Sequence, residues 1–127
     1  MRKLGIQPAE RIVAINAPAH YAQLLGGLPD GVSISSRVAP KARFVHLFVN
    51  KRADLAKRLE MLRGKLDDAG VLWVSWPKKS SGVATDVTED TIRALALPMG
   101  FVDVKVCAVD ETWSGLKLMI RRENRKR

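Results

Sequence analysis

The chain has 127 residues and a formal charge of +9 at neutral pH, from 22 Lys and Arg against 13 Asp and Glu. With 46% hydrophobic and 28% charged residues it has the composition of one soluble globular domain, which excludes a disordered, collagen-like or disulfide-stapled chain. Cys107 is the only cysteine, so no intramolecular disulfide forms and a reducing cytoplasm fits. No apolar run nears the ~20 residues a membrane helix needs. The start, Met1-Arg2-Lys3-Leu4-Gly5, lacks the apolar stretch of a signal peptide. A cytoplasmic protein without membrane contact is expected.

In chain order, Arg11-Ile12-Val13-Ala14-Ile15-Asn16 is nearly continuously apolar, the pattern of a strand covered by helices on both faces. Pro18 suits a first helical turn, and Ala19 to Leu25 predict a short helix that Gly26-Gly27 stops. The turn Pro29-Asp30-Gly31 precedes a weaker strand, Val32 to Ser35. Phe44 to Val49 is a second fully apolar strand. Asn50 is placed to cap a helix from about Arg52 to Asp68, with Leu55, Leu59, Leu62 and Leu66 on one face and an Asp54–Arg58 pair on another. Gly70 ends that helix, and Val71 to Trp76 is the next strand.

A polar loop, Pro77 to Thr85, leads to a helix starting near Thr88. Val87 and Ile92 stand where a hydrophobic staple joins them, and Asp86 with Glu89 is an alternative capping box. Pro98 and Gly100 close this helix. Phe101 to Val109 and Trp113 to Arg121 then predict an antiparallel hairpin, connected by Asp110-Glu111-Thr112. Val102, Val104, Val106 and Ala108 fall on one face of its first arm, and Leu116, Leu118 and Ile120 on one face of its second. The order β-α-β-β-α-β-α-β-β predicts a three-layer α/β sandwich, with a mostly parallel Rossmann-like sheet of about six strands. Residues 1–120 form one domain and 121–127 a basic tail, which supplies +4 of the net charge.

This order, closing with helix, strand, turn and antiparallel strand, resembles the class I methyltransferase variant of the Rossmann fold. Leu4-Gly5-Ile6-Gln7-Pro8 is similar to the lead-in of those enzymes, Gly70-Val71-Leu72-Trp73-Val74 to their fifth strand and Gly100-Phe101-Val102 to their sixth. The chain is shorter than that pattern by roughly one αβ unit before Phe44. Two longer phrases, Leu72-Trp73-Val74-Ser75-Trp76-Pro77-Lys78-Lys79-Ser80-Ser81-Gly82-Val83-Ala84-Thr85-Asp86 and Val104 to Lys117, resemble a family of small bacterial proteins, a domain of unknown function with no established activity. The methyltransferase resemblance implies a Gly-rich loop after the first strand, where backbone approaches the cofactor, and an acid ending the second strand, which binds ribose hydroxyls. Here those places hold Asn16-Ala17-Pro18-Ala19-His20 and Ser35-Ser36-Arg37. Both contacts are replaced, so no cofactor is expected and S-adenosylmethionine is disfavoured.

The loop from Trp76 to Asp86 is the most informative candidate site. Two lysines, Lys78 and Lys79, two hydroxyls, Ser80 and Ser81, and the flexible Gly82 precede a helix N-terminus, a combination that favours an anion. The spacing is not that of a P-loop. Asn16 and His20 follow the first strand, where α/β sheets bind ligands, and Asp110 stands in a turn that could face the lysines. His20 also reads as a surface residue, and Asp110 as an ordinary turn residue. His46, mid-strand with Phe44 and Phe48, reads as a core histidine bonded to a neighbour. Trp73 and Trp76 point to opposite faces, and with Trp113 they read as packing residues before a base-stacking platform. Cys107 reads as an inert thiol, Ser114-Gly115 is no nucleophile elbow, and no spacing suggests a metal site.

Three readings follow. The preferred one is a non-catalytic Rossmann-like domain that binds an anionic small molecule or protein partner near Asn16, Lys78 to Gly82 and Asp110. The second is a degenerate or partner-dependent S-adenosylmethionine-dependent methyltransferase. The third is a nucleic-acid accessory protein acting through the basic tail with Lys41, Arg43, Lys51 and Arg52.

Overall fold

A computed structural model describes residues 11–19, 21, 31–37 and 41–121. The basic tail after Arg121, His20 and most of the first expected helix lie outside the described residues. The elements are β1 (Arg11–Ile15), β2 (Ser33–Ser35), β3 (Ala42–Phe48), α1 (Arg52–Lys65), β4 (Leu66–Pro77), α2 (Glu89–Ala96), β5 (Phe101–Ala108) and β6 (Trp113–Ile120). The strands form one six-stranded sheet in the order β2-β1-β3-β4-β6-β5. Neighbours from β2 to β4 run parallel, while β6 pairs antiparallel with both β4 and β5. This is the mixed, mostly parallel α/β architecture read from the sequence.

The continuous apolar runs have a simple cause: the inner strands are covered on both faces. Val13, Ile15, Val45, Leu47, Leu72, Val74 and Trp76 share one core with Leu55, Leu59 and Leu62 of α1 and Ile92 and Ala96 of α2. Ile12, Ala14, Phe44, Phe48 and Trp73 build a second core on the opposite face, together with Tyr21. Trp73 and Trp76 therefore do point to opposite faces. Each leucine of the α1 stripe is fully buried, which stabilises the fold by about 1.5–3 kcal/mol per side chain.

The helix boundaries differ from expectation. The α1 helix stops at Lys65, and Leu66 instead opens β4, where it pairs with Ala42. Leu66 is buried in either state, so apolar spacing alone does not mark the change. Asn50 does not cap α1 either. The cap position is Lys51, and the Arg52 N–H donates to Asp86 Oδ1 at 2.6 Å. In return the Asn50 carbonyl accepts from the Asp86 N–H and the Thr85 hydroxyl, which laces the loop before α2 to the start of α1. At α2 the cap is Thr88, as expected, but its reciprocal partner is Thr91. Val87 and Ile92 are both buried in the first core, as a staple requires.

The terminal hairpin places β6 inside the sheet and leaves β5 as its edge. A register shift between Asp103 and Lys105 breaks the expected alternation, and Val104 and Val106 are 51% and 44% exposed. The irregularity and the exposed Lys105 are features that discourage edge-to-edge pairing. Arg93 of α2 fastens this edge, donating to Asp103 Oδ2 at 2.9 Å and pairing with Glu89. The guanidinium holds the Asp103 carboxyl below its ordinary range.

Because Asp86 is a remote cap, its loss is felt at α1 rather than at its own loop. Asp86→Ala is expected to lower stability by about 1 kcal/mol in urea unfolding. Amide exchange should quicken at the first turn of α1; an unchanged midpoint would deny the cap any role.

Candidate functional site

The chain leaves β1 toward β2 on one side and returns to β3 on the other, so the order reverses at β1. In such sheets the connections diverge beyond the strand carboxyl ends and leave a crevice. A cavity of about 440 Å³ opens next to that point, at the carboxyl ends of β1 and β2, with no β3 residue among its described lining. Its β1 side is built from small residues, Ala14, Ala17 and Ala19, with Asn16 among them. Ile34, Ser35 and Ser36 at the end of β2 form the facing wall, and Tyr21 also lines the cavity.

Asn16 has a φ of 58°, in the left-handed region, which asparagine tolerates better than most side chains. The turn after β1 thus takes a conformation usually left to glycine, without a glycine. The Asn16 amide reaches the Phe48 carbonyl at 3.5 Å, a long contact between the ends of β1 and β3. At β2, the Ser35 hydroxyl accepts from the Arg37 N–H at 3.1 Å and sets the bend that follows the strand.

Behind Tyr21 runs a chain of buried hydrogen bonds. The Tyr21 hydroxyl lies 2.9 Å from His46 Nδ1, and His46 Nε2 lies 2.7 Å from Ser75 Oγ. His46 and Ser75 are fully buried, and Tyr21 is 5% exposed. The imidazole also stacks on Phe48 at 4.3 Å between centroids, and the Tyr21 ring meets both edge-on. Burial pushes the His46 pKa down to about 3 and the Tyr21 phenol up. His46 is therefore neutral, donating from one ring nitrogen and accepting at the other. It is the hydrogen-bonded core histidine that its strand context suggests. Its partners lie 25 and 29 residues away, beyond any local pattern.

The lysine loop stands elsewhere on the same sheet edge, at the carboxyl end of β4. Two strand spacings separate it from β1, about 10 Å. The Lys78 N–H donates to the Thr112 carbonyl at 2.8 Å, so this loop and the Asp110 turn are neighbours. Lys79–Ser81 forms a short 3-10 turn that ends at Gly82, whose φ is 76°. The Ser81 hydroxyl donates to the Lys78 carbonyl at 2.6 Å and accepts from the Val83 N–H. Asp110 Oδ1 accepts from the N–H groups of Thr112 and Trp113, at 2.8 and 2.7 Å, and so braces its own turn. Lys79 and Ser80 are exposed and Lys78 is half-buried.

The expected site residues thus fall in two places. Asn16 lines the crevice, Lys78 to Gly82 and Asp110 lie together beyond β4, and His20 is outside the described residues. The sequence does not single out Ala14, Ala17, Ala19, Tyr21 or Ile34 as lining residues. The available signal was their place at the ends of the first two strands. Among the described residues, no three His, Cys, Asp or Glu side chains are grouped to hold a metal ion. No helix among them is long and apolar enough to cross a membrane.

No family profile matches the chain, and no curated protein is similar to it in sequence. Solved structures do match. A SAM-dependent methyltransferase from Aquifex aeolicus superposes with a TM-score of 0.69 at 12% identity, over 93% of this chain and 86% of that one. Fibrillarin from Aeropyrum pernix, solved with natively bound S-adenosyl-L-methionine, gives 0.59 at 12% identity over 94% and 70%. The chain therefore has a methyltransferase-like fold.

The depressed His46 pKa has a consequence for stability. Its folded value lies below the unfolded 6.5, so the unfolded chain binds the extra proton first. The associated stability is complete above about 6.5 and is lost as pH falls from there toward about 3. Urea unfolding should show about 2 kcal/mol less stability at pH 5 than at pH 7 from this residue. In His46→Gln that pH-dependent component disappears; identical profiles would refute the assignment.

Proposed function

We propose that this chain is a non-catalytic binding domain, which holds an anionic ligand or partner along the carboxyl edge of its sheet. The supporting observation is the crevice at the ends of β1 and β2, of ligand size and at the place where such sheets bind ligands. Among its described lining residues the titratable side chain is Tyr21, kept protonated by burial. His46 behind it is enclosed, neutral and engaged at both nitrogens. Neither serves as a base toward a ligand at neutral pH, which favours binding over group transfer. Lys78 and Lys79 place two of the positive charges of a +9 chain on the same edge.

S-adenosylmethionine fits these residues poorly. Asn16 preserves a left-handed turn, but Pro18 lacks an N–H and the end of β2 carries Ser35-Ser36-Arg37 where a ribose-binding acid would stand. A degenerate or partner-dependent methyltransferase is the second reading, favoured by the fold likeness. Membership in the small bacterial family of the Leu72 to Asp86 and Val104 to Lys117 phrases belongs to the same proposal.

Titration calorimetry with phosphate, nucleotides, oligonucleotides and S-adenosylmethionine tests these readings together. We expect an anionic nucleotide to bind, and Lys78→Ala/Lys79→Ala to weaken it about tenfold. Unchanged affinity in that variant removes the loop from the site. Tight, stoichiometric binding of S-adenosylmethionine would favour the methyltransferase. Binding of oligonucleotides alone, steeply salt-dependent, would favour a nucleic-acid accessory role.

A further inference from the structure

At the opposite end of the sheet the fold gathers cations. Strands β1, β3 and β4 are parallel and start at one edge, where antiparallel β6 finishes and α1 leads into β4. That edge carries Arg11, Lys41, Arg43, Arg63, Lys65 and Arg121. The register that sets Val13 beside Val45 carries back to Arg11 and Arg43, so two like charges stand level on neighbouring strands, on the face that α1 covers. Arg11, Lys41, Arg43 and Lys65 are exposed, and among the described residues none of these four forms an ion pair. Arg63 and Arg121 donate from Nε to the carbonyls of Met99 and Phe101, which holds both at this edge. Acids are engaged elsewhere: Asp54 pairs with Arg58, while Glu89, Asp90 and Asp103 all pair with Arg93. Asp67 and Asp68 follow Leu66 at the cationic edge, where the Asp67 carboxylate accepts from the Ala69 N–H. Positive charge therefore predominates. Lys65 and Arg63 complement the carboxyl end of the α1 dipole, but Arg11, Lys41 and Arg43 have no such role. Like charges opposed across strands are destabilising, and exposed side chains are not there for packing.

We infer that this amino-terminal edge binds a nucleic-acid duplex through its backbone phosphates. Arginine predominates in the patch, and a guanidinium meets a phosphate with paired donors. Across β1, β3, β4 and β6 the patch is about 14 Å wide, a length of duplex that carries on the order of eight phosphates. The basic tail is tethered to the same edge, since the sequence runs from Arg121 into Arg122 and Arg125-Lys126-Arg127. The exposed large hydrophobic residues are Ile34 of the crevice lining, Val83 of the lysine loop, and Val104 and Val106 of β5. None belongs to the cationic edge, so the patch offers no apolar side chain to enter a membrane. Phe44 and Phe101, near the starts of β3 and β5, are buried and offer no platform for unpaired bases, which favours a duplex over a single strand. The seven residues of β3 separate this edge from the carboxyl edge by about 20 Å, so the surface stands whether or not the crevice takes a ligand.

Fluorescence anisotropy with labelled, mixed-sequence DNA and RNA duplexes over a salt series tests it. Arg11→Ala/Arg43→Ala should weaken duplex binding about tenfold at low salt and make the slope of log affinity against log salt shallower by about two. Both residues are exposed, so the melting temperature should not fall. Lys65→Ala should change the slope by about one. Lys78→Ala/Lys79→Ala removes the same charge from the carboxyl edge and should leave duplex binding unchanged. Equal losses in the two double variants would show diffuse attraction to a basic protein and overturn the inference. Duplex binding that survives Arg11→Ala/Arg43→Ala, as attachment by the tail alone predicts, would overturn it too. So would tighter binding of the single strand, or capture of phosphatidylserine vesicles without any binding of duplexes. Failure to bind a duplex at low salt sinks this inference and leaves the crevice to its own calorimetric test.

Discussion

A strand covered on both faces has no water to satisfy a polar side chain, so any such group must find a partner inside the protein. Among the described residues two polar side chains are fully buried, His46 on β3 and Ser75 on β4, and each bonds the other. The remaining imidazole nitrogen is met by Tyr21, which follows β1 and lines the crevice. A buried donor or acceptor left without its partner costs about 1–3 kcal/mol. The interior therefore holds a wall of the candidate site in place. The Tyr21 ring is positioned by a hydrogen bond to the middle of the sheet, as well as by its apolar contacts.

The same double coverage made much of the fold legible. Runs such as Phe44 to Val49 admit no polar face, and so read as inner parallel strands. The leucine stripe of α1 and the Thr88 cap of α2 were likewise written in local spacing. What escaped local reading depends on distance along the chain. Asp86 caps a helix that begins 34 residues earlier, and no neighbour rule reaches so far. Leu66 is buried whether it ends a helix or opens a strand, so hydrophobicity could not assign it. The irregularity between Asp103 and Lys105 is set by pairing with β6, which displaces the valines from the regular alternation of the arm.

The candidate site was legible in position more than in composition. Sequence order placed the ligand region beyond the strand carboxyl ends, and both the crevice and the lysine loop lie there. The availability of donors was harder to see. Ser81 has the look of an anion ligand in the sequence, yet its hydroxyl is tied to the backbone on either side. Asp110 similarly braces its turn. Conversely, Asn16 reads as the loss of a glycine, whereas its φ of 58° keeps the left-handed turn. Backbone conformation at a permissive residue is decided by the surroundings, so the sequence shows only that the turn is allowed.

At 12% identity and a TM-score of 0.69, the likeness to the Aquifex enzyme shows how weakly this fold constrains sequence. Many apolar side chains of suitable volume fill the two cores, so the architecture survives extensive replacement. Ligand chemistry is less degenerate, because it depends on a few groups at the strand ends whose charge and donor count must match. At the end of β1 this chain changes the residue and keeps the conformation. At the end of β2 it replaces an expected negative charge with two hydroxyls and a positive one. On the proposed reading the first change leaves a ligand room to approach and the second alters which ligand is stable there, so the carboxyl ends of β1 and β2 would carry the functional distinction that the shared scaffold does not.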